Sequence, residues 1–429
     1  MKKLLVCLLA AVMVLGIAGC GSPAGESPQT SGSTEQVVLT FWAHQEAWNT
    51  SYQNIADAYM AEHPNVKIQF EFFPYDEYEA KMQTSLIATS NSADIYELWG
   101  GWAIDFAPSG ALAEIPEEMA TEVRNDSYPS TIGSLEYEGK LYGLPMEFNI
   151  ECGGMFVNLH LLEQNGMTIP TTWDDLVADA KQASVWNGNE ISVRGFDFVN
   201  WDSVTYLWTS MILSSGGQYL NDDGTFNFTS PEAKEAFTVL ANLVNEDKVT
   251  DLMGLTGGGD MEGYQMLFAD QALFVPRGPW PMAEAKETFE LTYGTDFTYA
   301  ALPWYGDTPA FAAETGWALA VNGNSEKKDA AFDFLKYFYS DEVLMQHNIY
   351  CSMIPPKKSV AQDPALLEAM PFLEPLVKIL DDAQYIGYFN TDVFKEAINN
   401  TFVDYCSGVY GSVDEALTHL QTELNDTIG

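Results

Sequence analysis

Basic side chains are scarce: 19 Lys and Arg stand against 61 Asp and Glu, a formal net charge of −42. A chain this acidic is repelled by nucleic acid and by anionic lipid, which argues against both as partners. Cysteine is scarce as well. Cys7 lies inside an apolar leader and Cys20 at its end, so Cys152, Cys351 and Cys406 are left to the folded part and can close one disulfide at most. That excludes a disulfide-stapled scaffold, and the three read as small core residues. His347 and Cys351 stand four apart, yet nothing nearby completes a zinc set, so no metal is expected. No apolar run after the leader approaches membrane-spanning length. Gly-x-Ser-x-Gly, His-Glu-x-x-His and phosphate-loop signatures are missing, and so is the eightfold rhythm of a βα barrel. No enzyme is expected on these grounds, although 61 carboxylates leave the paired acids of a glycoside hydrolase open.

What is present speaks for a folded, exported protein. Aromatics at 13% and apolar residues at 47% exclude disorder despite the charge. Lys2 and Lys3 precede an uncharged stretch from Leu4 to Ile17, and Ala18-Gly19 then lead into Cys20, the layout of a cleaved export signal over residues 1–19. Ile17-Ala18-Gly19-Cys20 resembles the lipobox of bacterial lipoproteins. The resemblance implies that Cys20 is acylated, becomes the first mature residue and anchors the chain to the outer face of the cell membrane, each buried methylene contributing about 0.8 kcal/mol. Residues 20–36, rich in Ser, Gly and Pro, read as a flexible tether, and folding should begin at Val37.

The folded part alternates short apolar runs with helical periods, which points to an α/β class. Val37 to Ala43 reads as a strand, Ser51 to His63 as a helix stopped by Pro64, and Val66 to Phe73 as the next strand, a βαβ unit that requires a parallel pair. Tyr75 to Thr89 and Ala93 to Trp99 extend the pattern by one helix and one strand. Ligands of such an open sheet bind beyond the carboxyl ends of its strands. Thr172 with Asp175, Ser230 with Pro231, and Ser412 with Glu415 mark later helix starts, Gly408 marks a helix end, and Gly254 to Gly259 reads as a loop.

Leu141 to Gln182, with Tyr142-Gly143-Leu144-Pro145, the Asn158 turn and Pro170-Thr171-Thr172-Trp173-Asp174, resembles the crossover signature of family 1 extracellular solute-binding proteins, the maltose-binding-protein-like group serving sugar ABC importers. Phe156-Val157-Asn158-Leu159-His160 stands where Tyr-Asn-Lys is usual. Leu267 to Trp280, Glu314 to Phe338 and Ser412 to Asn425 agree in order. The resemblance implies a two-lobed periplasmic-binding-protein-like fold of type II, each lobe an open sheet flanked by helices. The N-lobe would comprise 37–148 with 314–370 and the C-lobe 149–313 with 371–429. It further implies a monomer that captures a carbohydrate in the cleft and delivers it to ABC transporter permease subunits. A surface glycan-binding module or a glycoside hydrolase not coupled to transport is the alternative.

A sugar presents a face of C–H bonds to an aromatic plane and a hydroxyl edge to paired donors and acceptors. Aromatics with polar neighbours stand at the predicted strand ends: His44, Gln45, Glu46 and Trp48, then Trp99, Trp102 and Asp105, then Trp201 with Asp202 and Arg277 with Trp280. Glu147, Asn149, Glu314 and Trp317 fall on the crossings. Tyr388 is added on the family resemblance. These are the candidate ligand contacts, whereas Trp186, Trp208 and Trp304 read as core packing.

Overall fold

Strand β1 (Val37–His44) buries Leu39, Phe41 and Ala43 completely, because alternate side chains of a strand share a face. The helix Asn49–Glu62 follows and buries Tyr52, Ile55, Ala56 and Tyr59 at helical spacing. It ends one residue before His63, which cannot easily stay helical ahead of Pro64. Strand β2 (Val66–Phe73), the helix Tyr75–Ile87 and β3 (Ile95–Trp99) complete the first unit, with β1 parallel to both β2 and β3. This is a computed structural model, and it describes residues 36–44, 48–88, 92–198, 203–256 and 261–428. The expected signal, Cys20 and nearly all of the tether lie outside the described residues.

A short hairpin of β4 (Glu136–Tyr137) and β5 (Lys140–Leu141) leads to β6 (Leu144–Pro145). The chain then passes to β7 (Gly154–Asn158), β8 (Val185–Asn187), β9 (Glu190–Phe196), β10 (Ala272–Pro276) and β11 (Phe297–Ala301). It returns through β12 (Phe311–Ala313) to β13 (Trp317–Val321), and β14 (Ala383–Tyr385) comes last. Two five-stranded sheets result, ordered β2-β1-β3-β13-β6 and β11-β7-β10-β9-β8, and β12 pairs with β14 apart from both. The chain therefore leaves the first sheet after Pro145 and re-enters it at Trp317. The first sheet is mixed, since β13 runs antiparallel to β3 and β6.

Separate cores fill the two halves. Phe41, Tyr52, Leu98, Phe334 and Phe338 pack around the first sheet, while Trp208, Phe237, Phe274, Phe394 and Phe402 pack beside the second. A third core lies along the crossings, where Phe148, Ile150, Phe311 and Ala313 meet Ile354 and the 366–380 segment. The marked helix starts hold: Thr172 accepts from Asp175 N, Ser230 from Ala233 N and Ser412 from Glu415 N, each cap contributing about 1 kcal/mol. Gly408 takes φ +81° just past the helix Asp392–Cys406, a conformation that glycine reaches without steric cost.

Two expectations need adjustment. Cys152, Cys351 and Cys406 are all free thiols, but Cys406 is only half-buried, because it sits in the last turn of a helix whose buried face is carried by Phe394, Ile398 and Phe402. Gly254–Thr256 is a turn of 3₁₀ helix rather than plain loop, and residues 257–260 are outside the described set. No helix among the described residues is long and apolar enough to cross a membrane.

Candidate ligand-binding site

The carboxyl ends of β1 and β3 bring the first group of side chains together. Glu97, fully buried in β3, accepts from Tyr52 OH at 2.6 Å and lies 2.6 Å from His44 Nδ1 and 3.5 Å from Trp48 Nε1. Burial pushes the Glu97 carboxyl up, but the His44 charge and the hydrogen bonds from His44 and Tyr52 outweigh it and hold the group below the ordinary carboxylate range. Burial pushes the Tyr52 phenol well up, with Glu97 adding to it, so Tyr52 stays a donor.

His44 in turn stacks on Trp317, ring centroids 4.3 Å apart at 23°. Trp102 meets Trp317 edge-on at 5.5 Å and Trp99 edge-on at 6.0 Å. Tyr75 stands over Trp317 at 6.3 Å and is 53% exposed, so it forms the open lip of an aromatic wall. Trp317 is half-buried and Trp102 buried; the Trp102 indole N–H has no partner among the described residues.

The crossings supply the polar floor. Glu314, buried between β12 and β13, accepts at Oε2 from Trp99 Nε1 at 3.2 Å, from Asn390 Nδ2 at 3.3 Å and from Tyr206 OH, and at Oε1 from Asn149 Nδ2 at 2.8 Å. Asn149 also donates to Glu151 at 2.7 Å. One carboxylate on the return crossing thus gathers donors from β3, from the first crossing, from the helix Ser203–Ser214 and from the turn before the helix Asp392–Cys406. Arg277 lies 3.7 Å from Glu151 and 3.2 Å from Glu262, with its guanidinium 5.3 Å from the Trp280 ring. Lys395, on the helix Asp392–Cys406, holds its ammonium 4.1 Å from the centre of the Trp99 ring.

Glu147 on the first crossing accepts the Trp317 backbone N–H at 3.1 Å. A side chain at Gly316 would collide with it, since a Cβ there would lie 2.7 Å from Glu147 Oε1. Burial pushes the Glu147 carboxyl up to about 7 against the pull of the Trp317 N–H, with Glu151 and Glu97 adding to the rise.

The structure brings His44, Trp48, Trp99, Trp102, Glu147, Asn149, Arg277, Trp280, Glu314 and Trp317 into this neighbourhood. Asp105 is exposed on the helix Gly100–Phe106, with its charge felt by Glu79, and Tyr388 is 55% exposed, edge-on to Tyr385. Gln45, Glu46, Trp201 and Asp202 lie outside the described residues. Tyr52, Glu97, Glu151, Tyr206, Glu262, Asn390 and Lys395 join the site without having been foreseen. Glu97 alone carried a signal, as a charge inside the apolar strand Ile95–Trp99. A groove of about 580 Å³ lies elsewhere, lined by Trp42, Phe73, Lys81 and Thr84 between β1, β2 and the Tyr75–Ile87 helix, outside this convergence of polar groups.

Two sheets with separate cores, joined by crossings that carry buried polar groups, define a two-lobed binding-protein fold of type II. A family model described as bacterial extracellular solute-binding protein matches residues 42–345, and the chain belongs to that family. A Pyrococcus abyssi protein named maltotriose-binding protein is 26% identical over 325 residues, 73% of this chain and 65% of its own length. A Brucella abortus protein described as a binding protein is 26% identical over 218 residues; this chain spans about half its length, 52%. Among solved structures, maltose-bound MalE3 of T. maritima matches with a TM-score of 0.75 at 21% identity, covering 91% of this chain and all of that one (100%). These relatives carry the names of binding proteins.

Proposed function

We propose that this chain is an extracytoplasmic, lipid-anchored substrate-binding protein that captures a carbohydrate, an oligosaccharide, and delivers it to the permease of an ABC importer by lobe closure, with no bond made or broken. The lobes are 37–148 with 314–370 and 149–313 with 371–429, and the anchor is Cys20 on its tether.

The observation that carries this reading is the Glu314 cluster, where donors from both halves converge on one buried carboxylate beside an aromatic wall. A ligand held there touches both lobes at once and stabilises the closed form by its differential affinity, about 5.5 kcal/mol being needed to move a 1:99 equilibrium to 99:1. The names of the relatives support a saccharide, and the Trp317–Trp102–Tyr75 wall supplies the stacking surface it needs.

The test is a thermal-shift screen of the full chain against mono- and oligosaccharides, followed by calorimetry on those that raise the melting temperature. A saturable shift with an unchanged ligand recovered afterwards is expected. Steady cleavage of the bound sugar would transfer the protein to the hydrolases.

A further inference from the structure

Glu147 is the carboxyl of the site that is short of donors. It is 4% exposed, and its Oε1 takes the Trp317 N–H at 3.1 Å; no other donor among the described residues reaches it. The titratable groups that face it are His44 from β1, Glu97 from β3, Glu151 from its own crossing and Cys351 from the helix Asp341–Cys351. Two of those are acids, and His44 is already bonded to Glu97. Its neighbours are better served. Glu97 has His44 and Tyr52, Glu151 and Glu262 share Arg277, and Glu314 has four donors.

With only the Trp317 N–H at Oε1, a buried carboxylate still carries an oxygen and a charge that its neighbours do not compensate, which is costly, and native proteins satisfy nearly all such groups. The missing partner of Glu147 therefore comes with the ligand. A sugar hydroxyl fills a lone pair but leaves the charge uncompensated between Glu97 and Glu151, whereas an ammonium does both. The same two acids disfavour any anionic substituent at that point. Trp317, whose backbone N–H bonds Glu147 and whose ring is half-buried against the buried His44, offers an aromatic face to the ring that carries the group.

Resting on the carbohydrate reading above, we propose that Glu147 docks an ammonium group of the ligand, so that the saccharide captured is an amino sugar with a free amine.

The experiment is calorimetry of the full chain at pH 7 with di- and trisaccharides in three matched forms: free amine, N-acetylated, and neutral with a hydroxyl in place of the amine. The free-amine form should bind about tenfold tighter or more, as a charge-assisted hydrogen bond requires, and Glu147→Gln should erase that preference, so that the free-amine and neutral forms bind it alike. The melting temperature of Glu147→Gln, equal to or above the parent's, certifies its fold. For the parent, free-amine affinity should rise from about pH 5.5 to about pH 7 as Glu147 gives up its proton. Equal or tighter binding of the neutral or acetylated form, a preference that survives Glu147→Gln, or no binding of any of the three would overturn the proposal. Binding of putrescine alone, abolished by Glu147→Gln, would keep the ammonium dock and overturn the carbohydrate reading.

Discussion

Trp99 Nε1 donates to Glu314 Oε2 across 3.2 Å, joining the end of a central strand of the first sheet to the crossing that leads back from the second half. The same carboxylate holds Asn149, Tyr206 and Asn390. Glu314→Ala would remove the acceptor that these buried donors share, leaving Asn149 only Glu151 and Asn390 only Tyr206, at about 1–3 kcal/mol for each N–H or O–H left unpaired that water does not reach. A lower melting temperature and a saccharide affinity reduced at least about tenfold are expected, with Glu314→Gln intermediate. Calorimetry showing parental affinity for Glu314→Ala would remove Glu314 from the coupling of the lobes.

Lys395 bears on the same Trp99. Its helix packs Phe394, Ile398 and Phe402 into the second core, while its buried ammonium lies over a ring of the first. A desolvated cation–π contact contributes about 2 kcal/mol, so Lys395→Met should weaken binding about tenfold or more, chiefly through faster ligand release, and Lys395→Arg should restore most of it. Surface plasmon resonance separates the two rates; unchanged release from Lys395→Met would show that the contact does not hold the closed form.

The first half of the fold was legible because its physics is local. Leu39, Phe41 and Ala43 alternate in β1, Tyr52, Ile55 and Tyr59 recur at helical spacing, and Thr172, Ser230 and Ser412 announce helices by their side-chain caps. The site was legible where aromatics ended strands, as at Trp99, and where crossings passed, as at Glu147 and Glu314. Tyr206 and Asn390 were not, because they meet Glu314 across 108 and 76 residues, and no local pattern encodes such a contact.

Acid stability should depend on two buried groups of opposite effect. Burial holds the His347 imidazole down to about 4, so its folded form resists a proton that the unfolded chain accepts; that contribution is present above pH 6.5 and is lost as pH falls toward 4. Glu147 is raised to about 7, so the stability it confers is present below pH 4.5 and is lost as pH rises through 7. Each amounts to about 3 kcal/mol, and they nearly cancel between pH 4.5 and 6.5. Glu147→Gln removes the compensation. Denaturant titrations should show that variant losing more stability than the parent on acidification from pH 6.5 to 4.5; parallel profiles would contradict the assignment.

Trp317→Ala and Trp280→Ala should each weaken saccharide binding about five- to hundredfold through loss of a stacking face of about 1–3 kcal/mol. Trp186→Ala, whose indole N–H donates to the Lys248 carbonyl at 2.7 Å away from the site, should not. Calorimetric titrations in which both site variants matched the Trp186 control would move the ligand elsewhere.

The central claim is that the ligand closes the lobes, and the distance between them under ligand tests it most directly. Fluorescent labels at exposed Glu118, on the helix Glu117–Asp126 packed on the first core, and at exposed Val409, in the turn between the helices Asp392–Cys406 and Val413–Thr427 that pack on the second, let energy transfer in single molecules read the opening angle. Saturating saccharide should gather a broad or low-transfer population into one high-transfer state, reversed by washing the sugar out. A tightly bound sugar that left the transfer histogram unchanged would contradict closure as the working step.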